Sequence, residues 1–213
     1  MPLYLLGKDP TAAVKMEPTQ ATLRVTQRTI ESNRHFLHIG AKTGALTGVA
    51  ANAPVFQLQN QGTGLLLIKR VKVCFSLTTA FATAQYLDFG LIVARGISVY
   101  GSSGTAILLT GNANHLMTDS YNISNAGCRI STTGTLTTGT RTLDTYYLGQ
   151  AGNWFGAVGA MLPMTTLFEA TPGKYYLTLA QNEGIEIAPV TAMGGTGVGV
   201  LGVNIEFCEA AAY

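Results

Sequence analysis

The chain has 213 residues, 11% of them charged, a formal net charge of +2 and no run of like charges. That length suits one β-sandwich or barrel, which would bury about 70% of its unfolded surface without metals or disulfides. The charge balance argues against a nucleic-acid partner, because phosphate binding needs clustered Lys and Arg.

Charges stand at less than half of the roughly 25% usual in soluble domains, and Thr is the commonest residue. The surface implied is largely neutral and polar. Such a surface suits a protein covered by copies of itself or by a partner, and equally a Thr-rich β protein with polar loops.

Residues 1–20 contain Pro2, Pro10 and Pro18 with little periodicity, and read as an extended N-terminal arm carrying Leu3, Tyr4, Leu5 and Leu6 as apolar anchors. The apolar start is cut short by Gly7-Lys8-Asp9-Pro10, and no later stretch is long enough to span a bilayer. The expectation is a chain without signal peptide or membrane partner, made in the cytoplasm.

From Ala21 to Tyr213 the pattern predicts a single β-sandwich domain. Leu23–Val25, Phe36–Ile39 and Pro54–Leu58 are short strand candidates separated by Gly, Asn or Pro. Leu65–Leu77 is the longest, with Val71, Val73, Phe75 and Leu77 on one face and Lys72, Cys74 and Ser76 on the other. The same parity splits Lys69, Arg70 and Lys72 between two faces. Gln85–Arg95 follows with Leu87, Phe89, Leu91 and Val93 on one face, then Ala106–Thr110 and Cys128–Thr132.

The region around 110–159 is rich in Asn, Ser, Thr and Gly and reads as a long Thr/Gly-rich loop, the kind of segment that serves as a functional surface. Tyr146, Tyr147, Trp154 and Phe155 lie in it. They are candidate partner-interface anchors or, alternatively, the plug at one end of a sandwich. Tyr175–Ala180, the strands flanking Asn182-Glu183-Gly184, and Val200–Phe207 after the Gly194–Gly199 turn complete about ten strands. No amphipathic helix of three turns is predicted, and the class is all-β, antiparallel.

No catalytic, cofactor-binding or metal-binding residues are assigned, and a non-enzyme is expected. Cys74, Cys128 and Cys208 show no C-x-x-C pair and read as free, unreactive thiols. His35 and His38 fall on opposite faces of a strand, and His115 stands alone. Glu183 and Glu186 also point apart, against a paired-carboxylate site, while Asp88, Asp119 and Asp144 have no evident partners. Gly194–Gly199 precedes a strand and lacks the Gly-Lys-Ser/Thr ending of a phosphate loop. The Asn122-Ile123-Ser124 sequon carries no weight without a signal peptide.

The segments Ala21–Val25, Ala53–Phe56, Leu67–Val71, Gly139–Leu143 and Leu179–Gly184, in that order, resemble structural proteins of tailed bacteriophages, in particular β-sandwich virion proteins that decorate or cement capsids. The resemblance spans most of residues 21–209 and rests on fold signatures. It implies jelly-roll strands, homotrimers seated where capsid subunits meet, an arm that clasps the shell, and the major capsid protein as partner on the virion surface. A tail or fibre protein binding a host receptor through 110–159 is the alternative. A carbohydrate depolymerase ranks third, its acids being few and badly spaced.

Overall fold

A computed structural model describes residues 15–16, 23–24, 36–109, 126–171 and 175–210. The chain divides into two compact units, Met1–Arg34 and His35–Tyr213. In the first, β1 (Lys15–Met16) and β2 (Leu23–Arg24) pair antiparallel. Leu23 and Arg24, expected to open the sandwich, belong instead to this small sheet. The proposed anchors Leu3, Tyr4, Leu5 and Leu6 lie outside the described residues.

The second unit is an antiparallel β-sandwich, with no helix among its described residues. Its strands are β3 (Leu37–Lys42), β4 (Phe56–Asn60), β5 (Leu65–Thr79), β6 (Gln85–Arg95), β7 (Thr105–Ala106), β8 (Ala126–Ile130), β9 (Thr142–Leu143), β10 (Gly149–Phe155), β11 (Met161–Glu169), β12 (Leu177–Leu179), β13 (Gly184–Pro189) and β14 (Val198–Ala210). One sheet runs β11-β5-β14-β3, with β12 also on β5; the other runs β10-β6-β13-β4-β8-β7, with β9 also on β6. The path β3, β4, β5, β6, β10, β11, β13, β14 alternates between sheets at every step except β6 to β10.

Alternation explains the core. Val71, Val73, Phe75 and Leu77 of β5 face Leu87, Phe89, Leu91 and Val93 of β6 across the sandwich, joined by Ile185 and Ile187 of β13 and Leu201, Val203, Ile205 and Phe207 of β14. Phe75 packs at 5.1 Å against Phe89 and, edge to face, at 5.1 Å against Phe155. Each such ring contributes about 1.5–3 kcal/mol through burial.

Three local features depart from the sequence expectation. Pairing of β5 with β14 slips between Glu206 and Phe207, so Lys69 and Arg70 are both outward beside Glu206 and the core series resumes at Ile68 and Val71. A bulge of this kind inverts parity, and the cluster is not split between faces. The arms of the turn at Asn182, whose φ is 62°, enter different sheets: β12 pairs with β5, and β13 with β4 and β6. Finally, the region around 110–159, read as a long loop apart from the strand expected at Cys128–Thr132, contains β9 and the seven-residue β10 besides β8. Residues 110–125 of it lie outside the described residues.

Candidate interaction surface

On the outer face of the seven-stranded sheet, one cross-strand row runs Ile92, Glu186, Gln57, Arg129. Inward parity is taken by the core residues of the same strands, so this row must be covered from outside. The 96–104 segment does so, held by Arg129, which donates to the carbonyls of Ser103 at 2.7 Å, Ser102 at 3.1 Å and Gly104 at 3.2 Å. The Arg129 guanidinium also lies 5.4 Å from the Tyr100 ring centre. Burial pushes the Tyr100 hydroxyl pKa up.

The 134–144 segment crosses the same half. Ser98 N–H donates to Thr140 O at 3.0 Å, and Leu136 N–H to Pro54 O at 2.7 Å. Beneath it Glu186 is 0% exposed, with Arg141 Nε 2.6 Å from Oε1 and Gln57 Nε2 donating to the same oxygen at 3.0 Å. Glu186 Oε2 and the nearby Gln59 Oε1 have no hydrogen-bond partner among the described residues. Burial raises the Glu186 pKa above the usual carboxylate value, and Arg141 and Gln57 offset part of that rise.

The other half, built on β6 and β10, is finished differently. Tyr86 pairs with Trp154 and Asp88 with Gly152. A Cβ on Gly152 would lie 2.6 Å from both Asp88 Cβ and the Tyr86 hydroxyl, and one on Gly90 would lie 2.3 Å from the Tyr147 ring. Glycine therefore lets the two tyrosine rings lie directly on the sheet. Tyr147 donates its hydroxyl to Asn52 Oδ1, and Asp88 Oδ1 accepts the Thr191 N–H at 3.1 Å. Trp154 stands edge to face on Tyr86 at 6.0 Å and is 66% exposed.

From this platform an apolar strip continues along the β10–β11 edge through Val158, Met161 and Met164, and Tyr146 and Leu148 are exposed just before β10. β11 carries two register slips and Pro163, features that disfavour regular pairing by another strand. At this edge the two sheets approach closely, since a Cβ on Gly149 would lie 2.0 Å from Leu167 O.

Of the aromatic anchors read from sequence, Trp154 and Tyr146 are open, the latter 82% exposed. Tyr147 is half-buried over Gly90. Phe155 is a correction: at 0% exposure it belongs to the core against Phe75, because consecutive strand residues face opposite ways.

The acids are also placed. Arg95 binds Asp144 through Nε at 2.8 Å and Nη2 at 3.0 Å, and Glu183 through Nη1 at 2.6 Å. Asp144 and Asp88 thus have partners that local sequence does not show, because those partners lie on distant elements. Glu183 and Glu186 are held by different arginines and are not brought together. Glu206, 3% exposed, receives Lys69 at 2.9 Å and Arg70 at 3.2 Å.

His38 meets Asn204 across β3 and β14, while His35, His115, Asp119 and the sequon lie outside the described residues. Cys74 and Cys128 carry free thiols, and burial pushes the Cys128 thiol pKa up. Cys208 packs with Phe36, Leu67 and Ala210 in a satellite cluster. Among the described residues no group of three or more His, Cys, Asp or Glu side chains could hold a metal ion. No described helix is long and apolar enough to cross a membrane. No protein-family model matches this chain, and no curated protein matches it in sequence.

Proposed function

We propose that this protein is a non-enzymatic structural protein of a tailed-bacteriophage virion, a decoration or cement protein that binds the assembled capsid as a homotrimer. The observation that carries the reading is the set of exposed large apolar side chains along one edge of the sandwich, Val158, Met161 and Met164, with Tyr146 and Leu148 beside them. Contiguous exposed apolar surface is a mark of protein contact. The connectivity supports it too. The rows β3-β14-β5-β11 and β4-β13-β6-β10 suit the jelly roll that this reading implies, an architecture used in viral capsids.

A heterologous contact in which this edge meets a different face of the next copy closes into a ring when the rotation is threefold. A protein that binds the assembled shell and not its separated subunits stabilises assembly by mass action. The partners in this reading are the major capsid protein and copies of this chain, and the site of action is the capsid surface after synthesis in the host cytoplasm.

The test is addition of the full chain to purified capsid shells, followed by cosedimentation and cryo-EM. Density at local threefold positions is expected, and deletion of residues 2–18, which removes β1, should abolish occupancy while leaving the sandwich unit His35–Tyr213 folded. Failure to bind shells overturns the proposal. The exposed Tyr86–Trp154 platform favours a second reading, a tail or fibre protein that binds a host receptor; binding of the chain to host cells without binding to shells would select it.

A further inference from the structure

We propose that the Tyr86, Asp88, Tyr147 and Trp154 platform is a binding site for a neutral carbohydrate, with one pyranose ring stacked on the Trp154 indole. It does not rest on the decoration reading, since it concerns the chemistry of one sheet face wherever the protein acts.

The platform is built, not incidental. Gly90 and Gly152 are the positions where a Cβ would collide with Tyr147, Tyr86 and Asp88, so the rings sit where they do only because those residues are glycine. Each polar group has a defined orientation: Asn52 takes the Tyr147 hydroxyl, and the Thr191 N–H fixes Asp88 through one oxygen. Asp88 itself is 8% exposed, so its carboxylate lies at the base of the platform. The indole is braced by Tyr86 at 6.0 Å while two thirds of its residue surface is open. Rigid aromatic surface beside a few oriented polar groups is how a small polar ligand is recognised.

Charge selects the ligand class. The charged side chain of the platform is the Asp88 carboxylate, with no Lys or Arg among its four residues. A phosphate or an acidic sugar would meet repulsion, whereas a sugar hydroxyl donates to a carboxylate, and the C–H face of a pyranose packs on an aromatic ring. Size points the same way. Four side chains fall far short of the roughly 20–30 residues a side of a standard protein interface, but they match one or two sugar rings.

Trp154 is the single tryptophan of the chain, so intrinsic fluorescence reports on this site alone. The full chain is titrated with neutral gluco- and galacto-configured oligosaccharides up to about 20 mM, above the Kd on the order of 1 mM expected for one open pyranose site. The expected result is a saturable change in Trp154 emission that is insensitive to salt. Asp88→Asn should weaken binding by about tenfold through loss of a charge-assisted hydrogen bond. Retention of Trp154→Ala on the matching immobilised sugar should be lost.

Absence of a saturable response to every neutral sugar overturns the proposal. So does a response to tetramethylammonium alone, which would make the platform a cation site, or identical binding by D88N and Y86A, which would mean nonspecific adsorption. Failure here leaves shell binding untouched, and failure of shell binding leaves this titration untouched.

Discussion

Along the outer face of the seven-stranded sheet, the half built on β13, β4 and β8 buries Glu186 and Gln57 beneath two clamped segments, whereas the half built on β6 and β10 leaves Trp154 and Tyr86 open. The hydrogen-bonded sheet is continuous across both halves, so the difference lies in what covers it. Where the chain covers its own sheet, polar side chains are tolerated by pairing. Where no described residue covers it, glycine and tyrosine make a flat aromatic surface.

The contrast is sharpest at Trp154 and Phe155, neighbours in sequence on opposite faces. Phe155→Ala should cost about 3–5 kcal/mol, the usual range for emptying a packed core. Trp154→Ala should change stability by about 0.5 kcal/mol or less, as for other exposed positions. Urea denaturation of the two variants checks this. Equal losses would mean that the open half is structurally buried and would break the comparison.

Arg141→Ala is the next largest effect. It leaves Glu186 with the uncharged Gln57 amide as its hydrogen-bond donor among the described residues, and removing one partner of a buried pair costs about 3–5 kcal/mol. Arg141 is partly exposed, so the lower end applies. A double change, Arg141→Met with Glu186→Leu, should recover most of the loss.

The penalty depends on pH with a definite sign. Burial raises the folded-state pKa of Glu186 above the unfolded value of about 4.3. Its stabilising contribution is therefore complete below that value and is lost as pH rises through the folded pKa. The stability of the native chain relative to Glu186→Gln should fall as pH rises from about 4 toward neutrality. In Arg141→Ala the fall should be steeper. Unfolding titrations at several pH values measure both slopes, and a native chain that gains stability relative to Glu186→Gln as pH rises would reverse the assignment.

How much of this was legible in sequence follows from the same physics. β6 was readable to the residue, Gln85–Arg95, because Leu87, Phe89, Leu91 and Val93 alternate without interruption. β5 was readable in its second half and misleading in its first, where the bulge at Lys69 inverts parity. β10 was hidden because Gly149 and Gly152 stand where neighbours leave no room for a side chain, which removes alternation from the strand that forms one wall of the platform. β11 was hidden by its slips and Pro163. The aromatic candidates were visible by composition, but only pairing with β6 separates Trp154 from Phe155. Asp88 had no local signal, since its partner Thr191 is over a hundred residues away in sequence.

The smallest effect belongs to the open half. Tyr147→Phe removes the hydrogen bond to Asn52 at a partly exposed site, and should cost about 0.5–1 kcal/mol. Its titration is more informative than its stability. Burial, and then the nearby Asp88 carboxylate, raise the Tyr147 pKa above the ordinary tyrosine value. Because the folded value is raised, the contribution is present below the unfolded value of about 10 and lost as pH climbs through the folded one. The native chain should thus lose more stability above that pH than Tyr147→Phe, and Asp88→Asn should bring tyrosinate formation at this site to lower pH in an ultraviolet titration. If Asp88→Asn leaves the Tyr147 titration unmoved, the carboxylate does not face the platform, and the open half loses the one charge that distinguishes it from a plain apolar patch.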